Sequence, residues 1–315
     1  MPAIRPEGHA GMVDVSICIC TFHRPARLLQ LLRSLCHLDA ATPSYEVIVV
    51  DNDAARTGEP AVCQARTEGL AVQYLVESVR GIARARNRSL QPARGEYVAF
   101  IDDDEEAHPR WLLELWTEVT RAGVDGGFGP VVPRFSEGTP RWLIDGGFFE
   151  RPRFPTGTVL AGKGTRTGNA LVRRDRLMAL QGPFDECYDL TGGEDSDLFI
   201  RMVDGGCRFI AVDAAIVYEH LLPARTTARW LLQRRFRTGM SSARLDNAGM
   251  SPRTRRQRRL RHLAWAVRWG LQGILLFPVS RISGFQRLTN AARDLGRFAM
   301  LSGFTYRPYE HDSWR

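Results

Sequence analysis

Along the N-terminal two-thirds of the chain, short continuous apolar runs alternate with stretches whose apolar residues recur at helical spacing. Val15 to Cys20 (VSICIC) predicts a strand, and Leu28, Leu31, Leu32 and Leu35 predict a helix from Pro25 to Cys36. Tyr45 to Val50 (YEVIVV) predicts a strand covered on both faces, ending in Asp51-Asn52-Asp53. Val72 to Val76 is a third candidate strand, Ile82 to Leu90 a helix, and Tyr97 to Ile101 (YVAFI) a fourth strand that ends in Asp102-Asp103-Asp104. This alternation predicts right-handed βαβ units and hence an α/β fold with a parallel sheet. The polar residues after the second and fourth strands then fall at carboxyl ends, where open α/β sheets bind ligands.

Farther on, Pro109 to Ala122 predicts a helix with Pro at its start and Gly123 past its end. Residues 123–168, rich in Gly, Pro and aromatics, read as strands and long loops lining a cleft. Thr167 to Val172 resumes regular structure, Glu194 to Val203 predicts a helix, and Cys207 to Asp213 and Ala215 to His220 predict two short strands. From Arg225 the pattern is helical, broken at Asn247 to Pro252 and at Pro278.

Composition divides the chain. Over 315 residues the net charge is +8, with 44% apolar and 25% charged residues, which excludes disorder along most of the length. Residues 225–315 hold 19 Arg and only four acids, a balance of +15, which leaves −7 on the first 224 residues. Three segments are therefore expected: a disordered tail over 1–13, a catalytic domain over 14–224 and a basic helical region over 225–315. The six cysteines form no CxxC pair and read as small core residues of a reducing compartment. Met1 to Asp14 lacks the apolar run of a signal peptide, and the most apolar late stretch, 11 residues from Trp269 to Val279, falls short of the roughly 20 that span a bilayer. A cytoplasmic protein that is not secreted is expected.

Three adjacent aspartates repel one another at the end of a buried strand, so a positive partner is expected there. Mg²⁺ or Mn²⁺ is held by one or two carboxylates and keeps positions open for phosphate oxygens. In an extended strand Asp102 and Asp104 share a side, which makes them the pair. The competing reading is an acidic cap for the helix at Pro109. Gly192-Gly193-Glu194-Asp195 likewise admits two readings, a ligand-approach loop or an N-cap.

The segments CICTFHRP (Cys18 to Pro25), YEVIVVDND (Tyr45 to Asp53), GIARARNRSL (Gly81 to Leu90), GEYVAFIDDDE (Gly95 to Glu105) and GGEDSDLFIRM (Gly192 to Met202) resemble, in order and spacing, the family 2 glycosyltransferases. TGNALV (Thr167 to Val172) and LTGGED resemble, within that family, the bacterial exopolysaccharide enzymes of the succinoglycan-glucosyltransferase type. The resemblance implies a GT-A fold, Rossmann-like with a mostly parallel sheet and helices on both faces, here followed by a helical C-terminal extension. It implies a nucleoside-diphosphate sugar donor, UDP-sugar first, with Thr21, Phe22, Asp51, Arg86, Asp102 and Asp103 toward the nucleotide sugar. It implies Mn²⁺ or Mg²⁺ on Asp102 and Asp104, with His220 as third ligand. Asp195 becomes the general base of an inverting reaction, Glu194 orients the acceptor, and Gly192 and Gly193 leave it room. An Asn commonly stands at the Asp195 position in retaining relatives, so the aspartate favours inversion. The acceptor implied is a saccharide or a saccharide on polyprenyl diphosphate, in polysaccharide synthesis. The aromatics between Phe128 and Phe154 either stack on sugars or pack.

Two alternatives compete. A sugar-1-phosphate nucleotidyltransferase needs a Gly-rich phosphate loop after the first strand, and CTFHRPARL contains no glycine. A non-catalytic subunit that recruits membrane through its basic tail would have no need of both acidic motifs. The tail itself mixes Arg with Trp230, Phe236, Trp265, Trp269, Leu271, Ile274, Leu275, Leu276 and Phe277. Such helices lie peripherally on the anionic inner face of a membrane, or pack as a subdomain, or self-associate. No nucleic-acid-binding module is present in the sequence.

Overall fold

The computed structural model describes residues 13–162, 165–246 and 250–306. The expected disordered tail, apart from its last residue, and part of the expected break at Asn247 to Pro252 lie outside the described residues. The chain forms two compact units, one comprising the chain up to 132 together with 151–219, the other 133–150 together with the chain from 220.

The first unit opens with β1 (Val15–Thr21), α1 (Pro25–Leu35), β2 (Tyr45–Asp51), α2 (Glu59–Thr67), β3 (Val72–Val76), α3 (Ile82–Leu90) and β4 (Tyr97–Ile101). It continues through β5 (Glu105–Ala107), α4 (Trp111–Ala122), β6 (Gly126–Phe128) and the start of β7 (Val131–Phe135). After α5 (Arg141–Asp145) the chain adds β8 (Val159–Leu160), β9 (Asn169–Arg173), α6 (Arg174–Met178), α7 (Glu194–Asp204), β10 (Phe209–Ala211) and β11 (Val217–Leu221). The main sheet runs β3-β2-β1-β4-β9-β6-β10-β8, with β9 antiparallel to β4 and β6 and β8 antiparallel to β10, and a small sheet runs β5-β11-β7.

Alternation along the central strands sends side chains to two cores. Ile17 and Ile19 of β1 join Val47 and Val49 of β2 under Leu28, Leu31 and Leu32 of α1 and Trp111, Leu112 and Leu115 of α4. Cys18, Ile48, Val98 and Phe100 meet Ala83 and Leu90 of α3 and Leu198, Phe199 and Met202 of α7 on the other face. The strands are apolar throughout because both faces are covered. The fold is thus the expected mixed α/β, mostly parallel, with helices on both faces. Cysteine is a correction: of six free thiols only Cys18 is buried, while Cys36, Cys63 and Cys187 are exposed on or beside helices and fill no core. Phe128 packs edge-on against Phe199, 4.7 Å between centroids, so it belongs to the core.

The second unit holds α8 (Ala228–Asp246), α9 (Pro252–Leu276) and α10 (Arg281–Leu301). Phe148, Phe149, Leu143, Leu221, Leu231 and Phe285 form its core, joined by Phe135 and Trp142, so these aromatics pack as well. α8 and α10 cross at paired glycines: a Cβ on Gly239 would stand 2.0 Å from the Arg293 carbonyl oxygen, and one on Gly296 2.0 Å from that of Phe236. Only a residue without a side chain admits backbones that close. Among the described residues no helix is long and apolar enough to cross a membrane.

Candidate active site

β4 lies between β1 and β9, so its carboxyl end is flanked on both sides. The strand stops at Ile101, and Asp102 to Glu105 form a turn closed by the Glu105 N–H on the Asp102 carbonyl at 3.1 Å. The expected strand alternation therefore does not reach the aspartates, and the pairing of Asp102 with Asp104 by pleat is corrected. Instead, Asp103 accepts from the Thr21 hydroxyl at 2.9 Å, and Nη1 of Arg24 bridges Asp103 at 3.1 Å and Asp104 at 3.2 Å. Asp102 turns toward Nη2 of Arg86 at 3.4 Å. The Glu105 carboxylate accepts the Asp102 N–H at 3.0 Å. Burial raises Asp103, against the pull of Arg24, and lifts Glu105 well above the carboxylate range, with the Asp102 charge adding to it.

α7 delivers the second acidic pair. Gly192 and Gly193 stand at φ of +72° and +104°, the left-handed region in which a side chain is strained, and the helix begins at Glu194. Among the described residues no side chain caps this end, so neither Glu194 nor Asp195 is a capping residue. Glu194 is buried and forms an ion pair with the buried Arg86. Its other oxygen, Oε2, has no hydrogen-bond partner among the described residues. Burial pushes Glu194 upward, and Arg86 pulls it back. Asp195 is half-buried, with Oδ1 accepting from the Ser196 N–H at 2.7 Å.

At the ends of β1 and β2 the side chains form a third group. The Oδ2 of buried Asp51 accepts from the Gly58 N–H at 2.6 Å and the Tyr74 hydroxyl at 2.8 Å, while Oδ1 has no partner among the described residues. Burial raises Asp51, opposed by the bond from Gly58. The Phe22 ring stacks on His23 at 4.1 Å, and Arg80 lies 4.5 Å above it. Asn52 ties the strand end to the following loop by donating to the carbonyls of Glu77 and Val79.

Among the described residues, the six carboxylates from Asp102 to Glu105 and of Glu194 and Asp195 interact with four guanidinium groups, Arg24, Arg86, Arg151 and Arg166. Carboxylate oxygens are the donor type that a hard divalent cation takes, and Asp102 and Asp104 supply two of them. Among the described residues no group of three or more His, Cys, Asp or Glu is arranged to hold a metal.

Residues 16–175 match the domain described as Glycosyl transferase family 2. The chain is 34% identical over 241 residues to the succinoglycan biosynthesis protein ExoM of Rhizobium meliloti, covering 74% of this chain and 75% of that protein. The chain belongs to glycosyl transferase family 2. This family 2 glycosyltransferase is also 25% identical over 259 residues to the hyaluronan synthase of Pasteurella multocida, of whose length it spans 26%. In fold it resembles S. aureus TarS 1-349 in complex with UDP-GlcNAc, with a TM-score of 0.54 at 16% identity over 93% of each chain. It also resembles the mannosyltransferase PcManGT from Pyrobaculum calidifontis in complex with GDP-Man and Mn2+, with a TM-score of 0.56 at 18% identity over 95% of this chain and 77% of that one. The GT-A fold is common to them.

In this glycosyltransferase the expected residues Thr21, Arg86, Asp102, Asp103, Asp104, Glu194 and Asp195 form one connected set within the first unit. Asp51 and Phe22 stand at the ends of the neighbouring strands. His220 is half-buried on β11, in the second unit. Sequence reading missed Arg24 and Arg151. Arg24 was detectable as a cation just after β1, at the ligand-binding end of the sheet; Arg151, in a stretch without periodicity, gave no signal.

Proposed function

We propose that this glycosyltransferase is inverting and metal-dependent, and moves a sugar from a nucleoside-diphosphate sugar, UDP-sugar first, to a hydroxyl of a saccharide or polyprenyl-diphosphate-linked saccharide. The process is polysaccharide biosynthesis, for which the similarity to ExoM is the support, and its place is the cytoplasmic face of the membrane. The observation that carries the reading is the connection of two acidic motifs, 102–104 and 194–195, through buried Arg86.

Asp51, with one oxygen fixed by Gly58 and Tyr74, presents the other to the nucleoside, beside the Phe22 ring. Thr21 acts by fixing Asp103, and Arg86 by fixing Glu194, which orients the acceptor. Gly192 and Gly193 leave the acceptor space. Asp195 takes the proton of the acceptor hydroxyl as that oxygen attacks the anomeric carbon opposite the leaving diphosphate. Asp102 and Asp104 would hold Mn²⁺ or Mg²⁺. When bound, the ion supplies Lewis-acid neutralisation of the departing diphosphate.

The test is nucleoside-diphosphate release from UDP-sugars with Mn²⁺ and a saccharide acceptor. Asp104→Ala abolishes metal-dependent turnover, and folded Asp195→Asn keeps donor binding while turnover falls about 10²- to 10⁴-fold. Full activity of both aspartate variants refutes the site. NMR of the product reads the anomeric configuration, and retention refutes inversion.

A further inference from the structure

α9 presents an apolar stripe to solvent. Gly273 of α9 packs on Leu288 and Gly284 of α10, which fixes the face turned inward. Leu260, Val267, Leu271 and Ile274, spaced by seven, four and three residues, run along the opposite side and are 52%, 54%, 59% and 65% exposed. Leu275 extends the stripe at 74%, and Val279, in the corner before α10, is 85% exposed. A run of this size on a helix otherwise packed on its neighbour marks a contact surface.

The charge beside it selects the partner. α9 contains no acidic residue, and Arg253, Arg256, Arg261 and Arg268 are exposed along the same helix. The Trp265 and Trp269 rings stack at 5.4 Å, with Arg268 5.1 Å over the first and Arg287 4.8 Å over the second. A second copy would bring like charges against like. A polyphosphate chain would satisfy the arginines and leave the leucines in water. Apolar side chains, paired indoles and guanidinium groups together suit the boundary of an anionic bilayer, where acyl chains and phosphates lie within a few ångströms of each other.

We propose that the outer face of α9 from Arg253 onward, together with Val279 in the following corner, is an in-plane binding surface for anionic lipid bilayers. The stripe enters the acyl boundary and the arginines pair with headgroup phosphates. Since no described helix is long and apolar enough to span, the attachment is peripheral and salt-sensitive.

The experiment is co-sedimentation of the full chain with vesicles of phosphatidylcholine alone and of phosphatidylcholine with phosphatidylglycerol. Wild type sediments with the mixed vesicles and is released by salt. Leu271→Glu with Ile274→Glu lowers partitioning at least about 100-fold, as expected for two exposed side chains that lose their burial. Arg253→Gln with Arg256→Gln and Arg261→Gln lowers it on the order of 100-fold at low salt. Val279→Glu, at the most exposed position, gives a smaller loss and serves if the double variant does not fold. Nucleoside-diphosphate release on a soluble acceptor stays unchanged in all of them. The proposal is overturned if wild type does not sediment, if the glutamate variants bind as well as wild type, if binding ignores phosphatidylglycerol, or if the stripe instead mediates a dimer by analytical ultracentrifugation without vesicle binding.

Discussion

Arg86→Met removes the cation between the two acidic motifs, and its effect can be worked out from the surroundings. The Arg86 and Glu194 side chains are 9% and 6% exposed, whereas Asp102 is 45% exposed. At an effective dielectric near 20, unit charges about 4 Å apart interact by roughly 4 kcal/mol, and removing one partner of a buried pair costs about 3–5 kcal/mol. The water-exposed Asp102 contact contributes under about 1 kcal/mol. Glu194 therefore dominates. Its pKa is already raised by burial and rises further without Arg86. A buried acid with a raised folded pKa binds more protons folded than unfolded between the two pKa values, so the variant loses stability as pH rises from the unfolded carboxylate range, by up to about 1.4 kcal/mol per pH unit. Urea unfolding followed by circular dichroism would show a deficit of about 3–5 kcal/mol near pH 8, shrinking toward about pH 5. Adding Glu194→Gln should return most of the stability without returning turnover. The reasoning is refuted if Arg86→Met costs less than about 1 kcal/mol at about pH 8, or if the double variant is no more stable than the single.

Asn169 accepts from the Trp111 indole at 2.8 Å and donates to the carbonyls of Pro130 and Ala215, so Asn169→Ala orphans a buried donor and should cost about 2–4 kcal/mol by urea titration. Gly193→Ala, at φ +104°, should cost about 1–2 kcal/mol and reduce turnover more than stability, because it displaces the start of α7; turnover is read beside a thermal melt. Asp51→Ala should weaken UDP binding about tenfold by calorimetry and leave Mn²⁺ dependence of turnover in place. Gly296→Val forces α8 and α10 apart and should cost more than about 2 kcal/mol, seen as an early melting transition.

The main strands and most helices were readable because burial on both faces leaves continuous apolar runs, and α1 and α4 show theirs every third or fourth residue. α2 was not read: its buried residues are Ala61, Val62 and Ala65, small groups that leave little periodic contrast. β5 was invisible for another reason. Glu105, Glu106 and Ala107 form a strand only through pairing with Glu219, Tyr218 and Val217, far along the chain. The same limit applies to the site. Adjacent aspartates and the Gly192-Gly193 loop announce themselves locally, but the partnership of Arg86 with Glu194, 108 residues apart, depends on how α3 and α7 come together on one face of the sheet.

The uneven charge along the chain has a physical basis at both ends. In the first unit, carboxylates collect where backbone strands end and water is scarce. Burial raises Asp102, Asp103, Glu105 and Glu194, and the guanidinium groups of Arg24, Arg86 and Arg151 oppose it, so the charge held there is set by that balance. In the second unit, the arginines of α9 stand at the surface with no acidic residue on their own helix, beside apolar side chains that a purely structural helix would turn inward. Salt at physiological strength screens exposed charges beyond about 8 Å, so an excess at the surface is answered only by what lies close to it. The surface excess on α9 therefore calls for an extended anionic partner rather than a point charge.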